Sequence, residues 1–398
     1  MKRFLAITLL TCSFAACGRC GATAPGNLGR AKATLDSIYK WYGVDGSFLL
    51  RENHPFDADY KAGYLAEGQA APNPYSYLWP FSGTLSAATA ILGADPSYRS
   101  VIDGRILPGL ARYLDTTRMP VAYAAYVDAG SDRFYDDNLW LGIDLCDIYE
   151  ATGERKYLAE AERIWEFIGS GMDDVLGGGI YWCEQHKDSK NTCSNAPAAV
   201  YALKLYAATG ERHYLEQGKA LYAWTKRYLS DPGDGLYYDN MALDGTLVKT
   251  KYSCNSGQMV QAGALLHKAT GDESYLKDAQ RTAAASYGCF FTGFTPEDGT
   301  PFRILGKGDV WFSAVMTRGF IELYRIDGNA EYLEAVQRSL DHAWVHARDG
   351  KGLFGADLTG RVKDSRKWLL TQAGMAEMYA RMANPVSYTH LRAHETRL

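Results

Sequence analysis

The chain has 398 residues, of which 47 % are apolar and 22 % charged, with a formal net charge of −4 at pH 7. That length allows two or three domains or one large toroid, and the absence of any long basic run argues against nucleic acid or an anionic polymer as partner. The excess is aromatic, 28 Tyr and 9 Trp; such side chains more often line helix–helix contacts, but their flat faces and polar edges also suit sugar rings.

In chain order, Lys2 and Arg3 precede an apolar run from Phe4 to Leu10, and Ala15 and Ala16 lead to Cys17. Residues 1–17 therefore read as a secretory signal, too short to cross a bilayer as a stable helix. Phe14-Ala15-Ala16-Cys17 resembles a bacterial lipobox, which implies acylation of Cys17 and a lipid-anchored protein of the cell envelope. Phe14 replaces the usual Leu, so cleavage by ordinary signal peptidase is the alternative; both routes export the chain. Residues 18–27 are expected to form a short tether and 28–384 a single domain. The segment 385–398 has no helical apolar period, resembles translated linker sequence, and is expected to lie outside the fold.

The apolar periodicity places twelve helices at 28–43, 77–92, 96–114, 137–152, 154–169, 194–209, 211–229, 254–270, 272–287, 310–326, 329–346 and 366–383. They are organised by a repeat. Ala151-Thr-Gly-Glu-Arg-Lys-Tyr-Leu158 returns as Ala208-Thr-Gly-Glu-Arg-His-Tyr-Leu215 and as Ala269-Thr-Gly-Asp-Glu-Ser-Tyr-Leu276. Degenerate copies begin at Ile91 and Ile326. Each copy reads as a helical hairpin: Gly closes one helix, an acidic residue suits the start of the next, and Tyr-Leu docks the second helix on the first. Six hairpins filling the chain predict an all-α (α/α)6 toroid with alternate helices inside and outside; an open solenoid, the alternative, needs polar caps.

The Gly turns share one end of that toroid. The connections at the other end, 171–190, 231–251, 295–308 and 349–366, are long and feed the N-termini of the inner helices. Binding chemistry favours such loops. Ile180-Tyr-Trp182 and Leu236-Tyr-Tyr238 suggest small hairpins there.

Five segments converge on that face: Tyr77 to Gly83, Phe134 to Trp140, Lys190 to Pro197, Lys251 to Gln258 and Asp309 to Phe312. Glycoside cleavage needs two carboxylates, one to protonate the leaving oxygen and one to attack or to activate water. Asp136 and Asp137, held close, repel, so that one retains a proton. Taken alone, Asp136-Asp137-Asn138 is better explained as a helix cap. The acidic pair Asp173-Asp174 lies in a loop and is given no role. The six cysteines after Cys17 form no C-x-x-C pair with one another, and Cys183 and Cys193 are the closest candidates for a disulfide. His342 and His346 have metal-ligand spacing but no third ligand, so no metal is expected. No G-x-S-x-G or H-E-x-x-H occurs, and Gly350-Lys-Gly-Leu-Phe-Gly355 reads as a loop, so no cofactor is expected either.

Tyr135-Asp-Asp-Asn-Leu-Trp140, Gly142-Ile-Asp and the Ala-Thr-Gly turn together resemble glycoside hydrolase family 76, the endo-α-1,6-mannanases. So do Gly178-Gly-Ile-Tyr-Trp182 with Lys190-Asn-Thr-Cys-Ser-Asn-Ala-Pro197, Tyr252-Ser-Cys-Asn-Ser-Gly257 and Trp311-Phe-Ser-Ala-Val315. The likeness runs from about Ala31 to Met382. It implies a retaining endo-acting α-1,6-mannanase, expected as a monomer acting on α-mannan or manno-oligosaccharides. Asp136 would be the nucleophile, Asp137 the general acid/base, and Tyr135, Asn195, Asn255 and Trp311 sugar contacts. The Cys residues beside Asn195 and Asn255 depart from the family's pattern. Two alternatives stand beside it: another toroidal sugar enzyme, such as an unsaturated glucuronyl hydrolase, and a mannan-binding surface lipoprotein without catalysis.

Overall fold

The computed structural model describes residues 25–62, 73–127, 130–297, 299–306 and 308–383. The signal segment, Cys17, Cys20 and the tail 385–398 lie outside the described residues. The first six helices are α1 (Asn27–Tyr42), α2 (Leu78–Leu92), α3 (residues 96–113), α4 (Tyr135–Thr152), α5 (Arg155–Ser170) and α6 (Thr192–Thr209). Then come α7 (Arg212–Leu229), α8 (Ser253–Thr270), α9 (Glu273–Phe290), α10 (Val310–Asp327), α11 (Glu331–His346) and α12 (Leu369–Ala383).

The even-numbered helices are buried on most sides, each touches the next, and α12 touches α2, so they close a ring. The odd-numbered helices bury one face against that ring and leave the other in solvent, as amphipathic surface helices do. The architecture is the expected (α/α)6 toroid. Absent side chains set the spacing between inner helices: a Cβ at Gly142 would lie 2.1 Å from the Tyr201 ring, and one at Gly319 2.2 Å from the Gly257 carbonyl oxygen. Only glycine fits either crossing.

One hairpin is discontinuous. Helix α1 packs on α12, so the two ends of the described chain complete the sixth pair. Asn27 Nδ2 stitches them by donating to the Met382 carbonyl at 3.0 Å and to Gln337 Oε1 at 2.7 Å.

The repeated turn is built by its threonine as much as by its glycine. Gly153, Gly210, Gly271 and Gly328 adopt φ of 70° to 75°, and the N–H of each reaches the carbonyl four residues back at 2.8 Å. In three copies the Thr hydroxyl donates to its own i−4 carbonyl and accepts the N–H two residues on, as Thr270 does to Leu266 and from Asp272. Of the three closest copies, the acidic residue caps the next helix through its side chain at Asp272, which accepts from Ser274 N, while Glu154 and Glu211 make no such bond; in the degenerate copy Asp95 caps in the same way, accepting from Ser97 N. Capping by the acid thus holds in one of the three closest copies.

Helix α3 is not regular. It runs through 3-10, α, π and 3-10 segments, because Pro108 lacks an N–H and its ring would strike the carbonyl four residues back. Among the described residues no helix is long and apolar enough to cross a membrane.

Short antiparallel strands line the loop-rich end: β1 (Asn53–His54), β2 (Leu114–Asp115), β3 (Ala122–Tyr123), β4 (Ser189–Asn191), β5 (Asn240–Ala242), β6 (Leu247–Val248), β7 (Phe291–Phe294), β8 (Phe302–Leu305) and β9 (Lys367–Trp368). They pair as β1–β9, β2–β3, β4–β5–β6 and β7–β8. The hairpins expected at 180–182 and 236–238 are instead isolated bridges, Met172 with Ile180 and Ser230 with Tyr237. At Ile180 the reason is plain: both its N–H and its carbonyl are bound by the Asn195 amide.

Candidate active site

The loops at this end are fixed to the inner helices by a recurring clasp. The fourth residue of α4 is Asn138, whose Oδ1 accepts from Tyr123 N while its Nδ2 donates to the carbonyls of Tyr123 and Phe134, all at 2.9 Å. Asn195, the fourth residue of α6, makes the same three bonds with Ile180 and Asn191, at 2.7 to 2.9 Å. Gln372 does so on α12 with Phe354 and Trp368, and Ser256 Oγ takes the Tyr237 N–H on α8. A buried amide that satisfies both backbone groups of a loop residue leaves that loop little freedom.

Two positions nearer the N-terminus lies the floor of the mouth. The second residues of the six inner helices are Trp79, Asp136, Cys193, Cys254, Trp311 and Leu370. Helix α4 begins at Tyr135, two residues earlier than expected, so Asp136 and Asp137 both occupy its first turn. The loop after α5 meets them there: Tyr135 N donates to the Trp182 carbonyl at 2.9 Å, and buried Arg133 is paired to Glu184 with Nε–Oε2 of 2.7 Å. Buried Lys190 braces the same loop through Asp173 and the carbonyls of Val175, Gly178 and Gly179, which gives Asp173 a structural task.

Asp136 and Asp137 are treated differently by this frame. Asp136 Oδ2 accepts from the Trp182 indole at 3.0 Å and from the Cys193 thiol at 3.3 Å, and Oδ1 accepts from the Asp137 amide at 3.0 Å. Asp137 is 9 % exposed, and its carboxyl accepts no hydrogen bond among the described residues. Burial raises both acids; for Asp136 the donors from Cys193, Trp182 and Asp137 oppose that rise. For Asp137 the charge of Asp136 adds to it and holds the group well above the usual carboxylate range. The frame thus favours charge on Asp136 and a proton on Asp137.

Three of the residues expected as sugar contacts are buried in the frame around the mouth. Tyr135 is fully buried, stacked on Phe167 at 4.7 Å. Asn195 is fully buried and spends its amide on the clasp. Trp311 is 1 % exposed, wedged edge-on between Trp79 and Trp140, and presents no ring face. Asn255, 1 % exposed, is different: it lowers the carboxyl of Asp239, and its Oδ1 accepts from the Cys254 thiol at 3.7 Å. The candidate pair Cys183 and Cys193 is not bridged; both are free thiols, Cys183 packed with Tyr77, Ala125 and Phe134 and Cys193 turned to Asp136.

Other residues of the mouth carry no periodic signal. Asp239 and Asp309 precede the strand β5 and the helix α10, and burial raises both, Asp309 to about 6. Partly exposed aromatics form a wall: Tyr252 meets Phe312 at 5.4 Å, Phe312 stacks on Trp79 at 5.9 Å and 21°, and Trp79 meets Trp368 edge-on at 5.4 Å. Trp79, Tyr252, Asp309 and Phe312 lie within the segments expected to converge on this face, whereas Asp239 and Trp368 lie outside them; contact between helices α8, α10, α2 and the strand before α12 is tertiary.

Among the described residues no group of three or more His, Cys, Asp or Glu is placed to hold a metal ion. His342 and His346 stack on each other at 4.2 Å. A cavity of about 340 Å³ opens at the opposite, tight-turn end, where Asp147, Lys204, Arg318 and Arg381 line it. Those charges are used internally, Asp147 with Lys204 and Arg318 with Glu377, so the cavity is not where the candidate chemistry lies.

Comparison with known proteins agrees with this geometry. The family model described as glycosyl hydrolase family 76 matches residues 60–300. A family 76 glycoside hydrolase from a bovine Bacteroides thetaiotaomicron strain is 34 % identical with a TM-score of 0.83, over 90 % of this chain and 78 % of that one. A family 76 mannosidase of B. thetaiotaomicron VPI-5482 is 33 % identical with a TM-score of 0.82, over 90 % and 98 %. An inactive variant of the α-1,6-mannanase GH76A of Salegentibacter sp. HEL1_6, with two consecutive aspartates changed to asparagine, is solved in complex with α-1,6-mannotriose. It is 26 % identical with a TM-score of 0.70, over 90 % and 99 %. No curated protein sequence matches the chain.

Proposed function

The chain belongs to glycosyl hydrolase family 76 and is a glycoside hydrolase of that mannanase family, and from that premise we propose that it is a retaining endo-α-1,6-mannanase. The observation that carries the roles is the unequal bonding of the two adjacent acids: three donors on Asp136 and none on Asp137. An ionised, fixed carboxylate suits attack at C1 of a mannosyl unit, and a buried protonated one suits delivery of a proton to the departing O6. Bond formation from Asp136 to C1 and cleavage of C1–O6 leave a glycosyl-enzyme and an ionised Asp137. Asp137 then takes a proton from water, whose oxygen displaces Asp136 from C1, so the α configuration is kept. The Tyr252–Phe312–Trp79–Trp368 wall supplies ring faces and Asn255 an amide for hydroxyls of the bound chain. The α-1,6-mannotriose held by the Salegentibacter relative supports the linkage.

Debranched α-1,6-mannan should yield short manno-oligosaccharides, with the α-anomer seen first by NMR, and none with Asp136→Ala. Initial release of the β-anomer would overturn the retaining scheme; binding without any release by the wild type would leave only the mannan-binding lipoprotein. We also propose that the chain acts as a monomer and is exported and lipid-anchored through Cys17. Light scattering tests the first, and incorporation of labelled fatty acid, lost in Cys17→Ala, tests the second.

A further inference from the structure

The double displacement leaves the thiols of the mouth unused, and one of them, that of Cys193, touches Asp136. We propose that Cys193 is a positioning residue for Asp136, its S–H donor fixing which carboxylate oxygen is free to attack, and that blocking this thiol suppresses hydrolysis. The inference rests on Asp136 being the nucleophile.

Register puts the two together. Cys193 is to α6 what Asp136 is to α4, the second residue of adjacent inner helices, so the two side chains meet at one level of the ring. Its Sγ lies 3.3 Å from Asp136 Oδ2, which also takes the Trp182 indole N–H at 3.0 Å. An ionised carboxylate oxygen has two lone-pair directions. On Oδ2 both are taken; on Oδ1 the Asp137 amide takes one and the other is open. The thiol thereby assigns Oδ1 as the attacking atom and holds the carboxylate against rotation.

The protonation state is consistent with a donor. Burial, and then the charges of Asp136 from α4 and Asp239 from the loop before β5, raise the Cys193 thiol well above its ordinary range, with Cys254 of α8 adding to it. It therefore stays S–H across the working pH. The other thiols are placed differently. Cys254 faces Asn255, Cys146 and Cys183 are buried, and Cys289 is exposed on the outer helix α9. Cys193 is partly exposed, so a small reagent entering the mouth reaches it.

Three measurements test this. Cys193→Ala should lower kcat about fivefold with KM within about twofold, the scale of one weak hydrogen bond to a charge. It should also move the acid limb of kcat/KM up by roughly half a pH unit, because Asp136 loses a donor that favours its charged form. Cys193→Ser, which keeps a donor, should restore most of both. An unmoved acid limb in Cys193→Ala overturns the positioning role, whatever its effect on thermal stability. At alkaline pH, where a small thiolate fraction forms and its proton has passed to solvent, iodoacetamide, whose carbon bonds that sulfur as iodide leaves, should slowly inactivate the wild type in step with Cys193 labelling and spare Cys193→Ser. Labelling of Cys289 alone should leave activity intact. The contact itself is read without turnover by peptide mass spectrometry. Asp136→Asn removes the charge that raises the thiol and should speed Cys193 alkylation severalfold at fixed pH; an unchanged rate overturns the contact. Failure of the wild type on α-1,6-mannan, by contrast, overturns the proposed function while that labelling comparison still stands.

Discussion

The two ends of α4 hold acids of the same type in opposite states. At its N-terminus Asp136 and Asp137 are both raised by burial, Asp137 further by the charge of Asp136, while neutral donors ease Asp136. Halfway down, Asp144 is pushed up to about 7 by burial although Arg318 stands 4.0 Å away and Ser86 donates to it. At the base Asp147 is buried too, yet Lys204 and Arg381 outweigh burial and lower it, as Arg318 and Arg381 do for Glu377 on α12. Burial alone therefore does not mark the reactive acids. What separates the mouth from the base is the supply of cations: among the described residues neither Asp136 nor Asp137 has an ion-pair partner. The base spends charge on holding the ring, whereas the mouth leaves charge unneutralised where a reaction can use it.

Breaking the mouth should have the largest effect. Asp136→Asn and Asp137→Asn should each lower kcat on mannan by roughly 10⁴-fold. An aryl α-mannoside with a good leaving group should recover first-step rate only in Asp137→Asn, since that substrate needs no acid. Equal recovery in both variants would erase the distinction between the two acids. Breaking the base comes next: Arg318→Met leaves Glu377 and Asp144 buried with less compensation, and should destabilise the fold by about 3–5 kcal/mol in urea titration. A wild-type midpoint would show that the base network is dispensable.

A smaller effect of opposite sign should come from the mouth. Raised carboxyls bind protons more tightly in the folded chain than in the unfolded one. Their unfavourable contribution grows as pH rises from the ordinary carboxylate range toward their folded values. Asp137→Asn should therefore raise stability near pH 7 by about 1–2 kcal/mol while abolishing turnover. The base works the other way: lowered Asp147 and Glu377 stabilise above the ordinary carboxylate range, and that gain is lost as pH falls through their folded values. The finest test is the pH profile. Its acid limb, ionisation of Asp136, and its basic limb, loss of the Asp137 proton, should both lie above the ordinary carboxylate range. An acid limb near pH 4 would contradict the burial of Asp136 as the controlling influence.

The repeat made the toroid legible before any coordinates, because helix-ending glycines every sixty residues or so dictate hairpins and their number dictates closure. The same repeat placed Asp136 and Asp137 at the loop-rich end. What sequence could not separate was a polar residue facing the mouth from one facing the frame. Asn195 and Asn255 occupy matching blocks, yet Asn195 clasps Ile180 and Asn255 adjoins Asp239, because they differ by one position in register: fourth residue of α6, third of α8. Trp311 and Phe312 differ by one position as well, and the second is the exposed one. Asp239, Tyr252 and Trp368 lie in connections without periodicity and Trp79 and Phe312 in the first turns of inner helices, and only the closed ring brings them together.

The discontinuous sixth hairpin has a mechanical consequence. Because Asn27 is bonded to the Met382 carbonyl, and Lys32 to Asp95 just beyond the Gly93 turn, whatever precedes the domain leaves it from the tight-turn face. If Cys17 carries the proposed acyl chain, the domain is tethered from the face opposite the mouth.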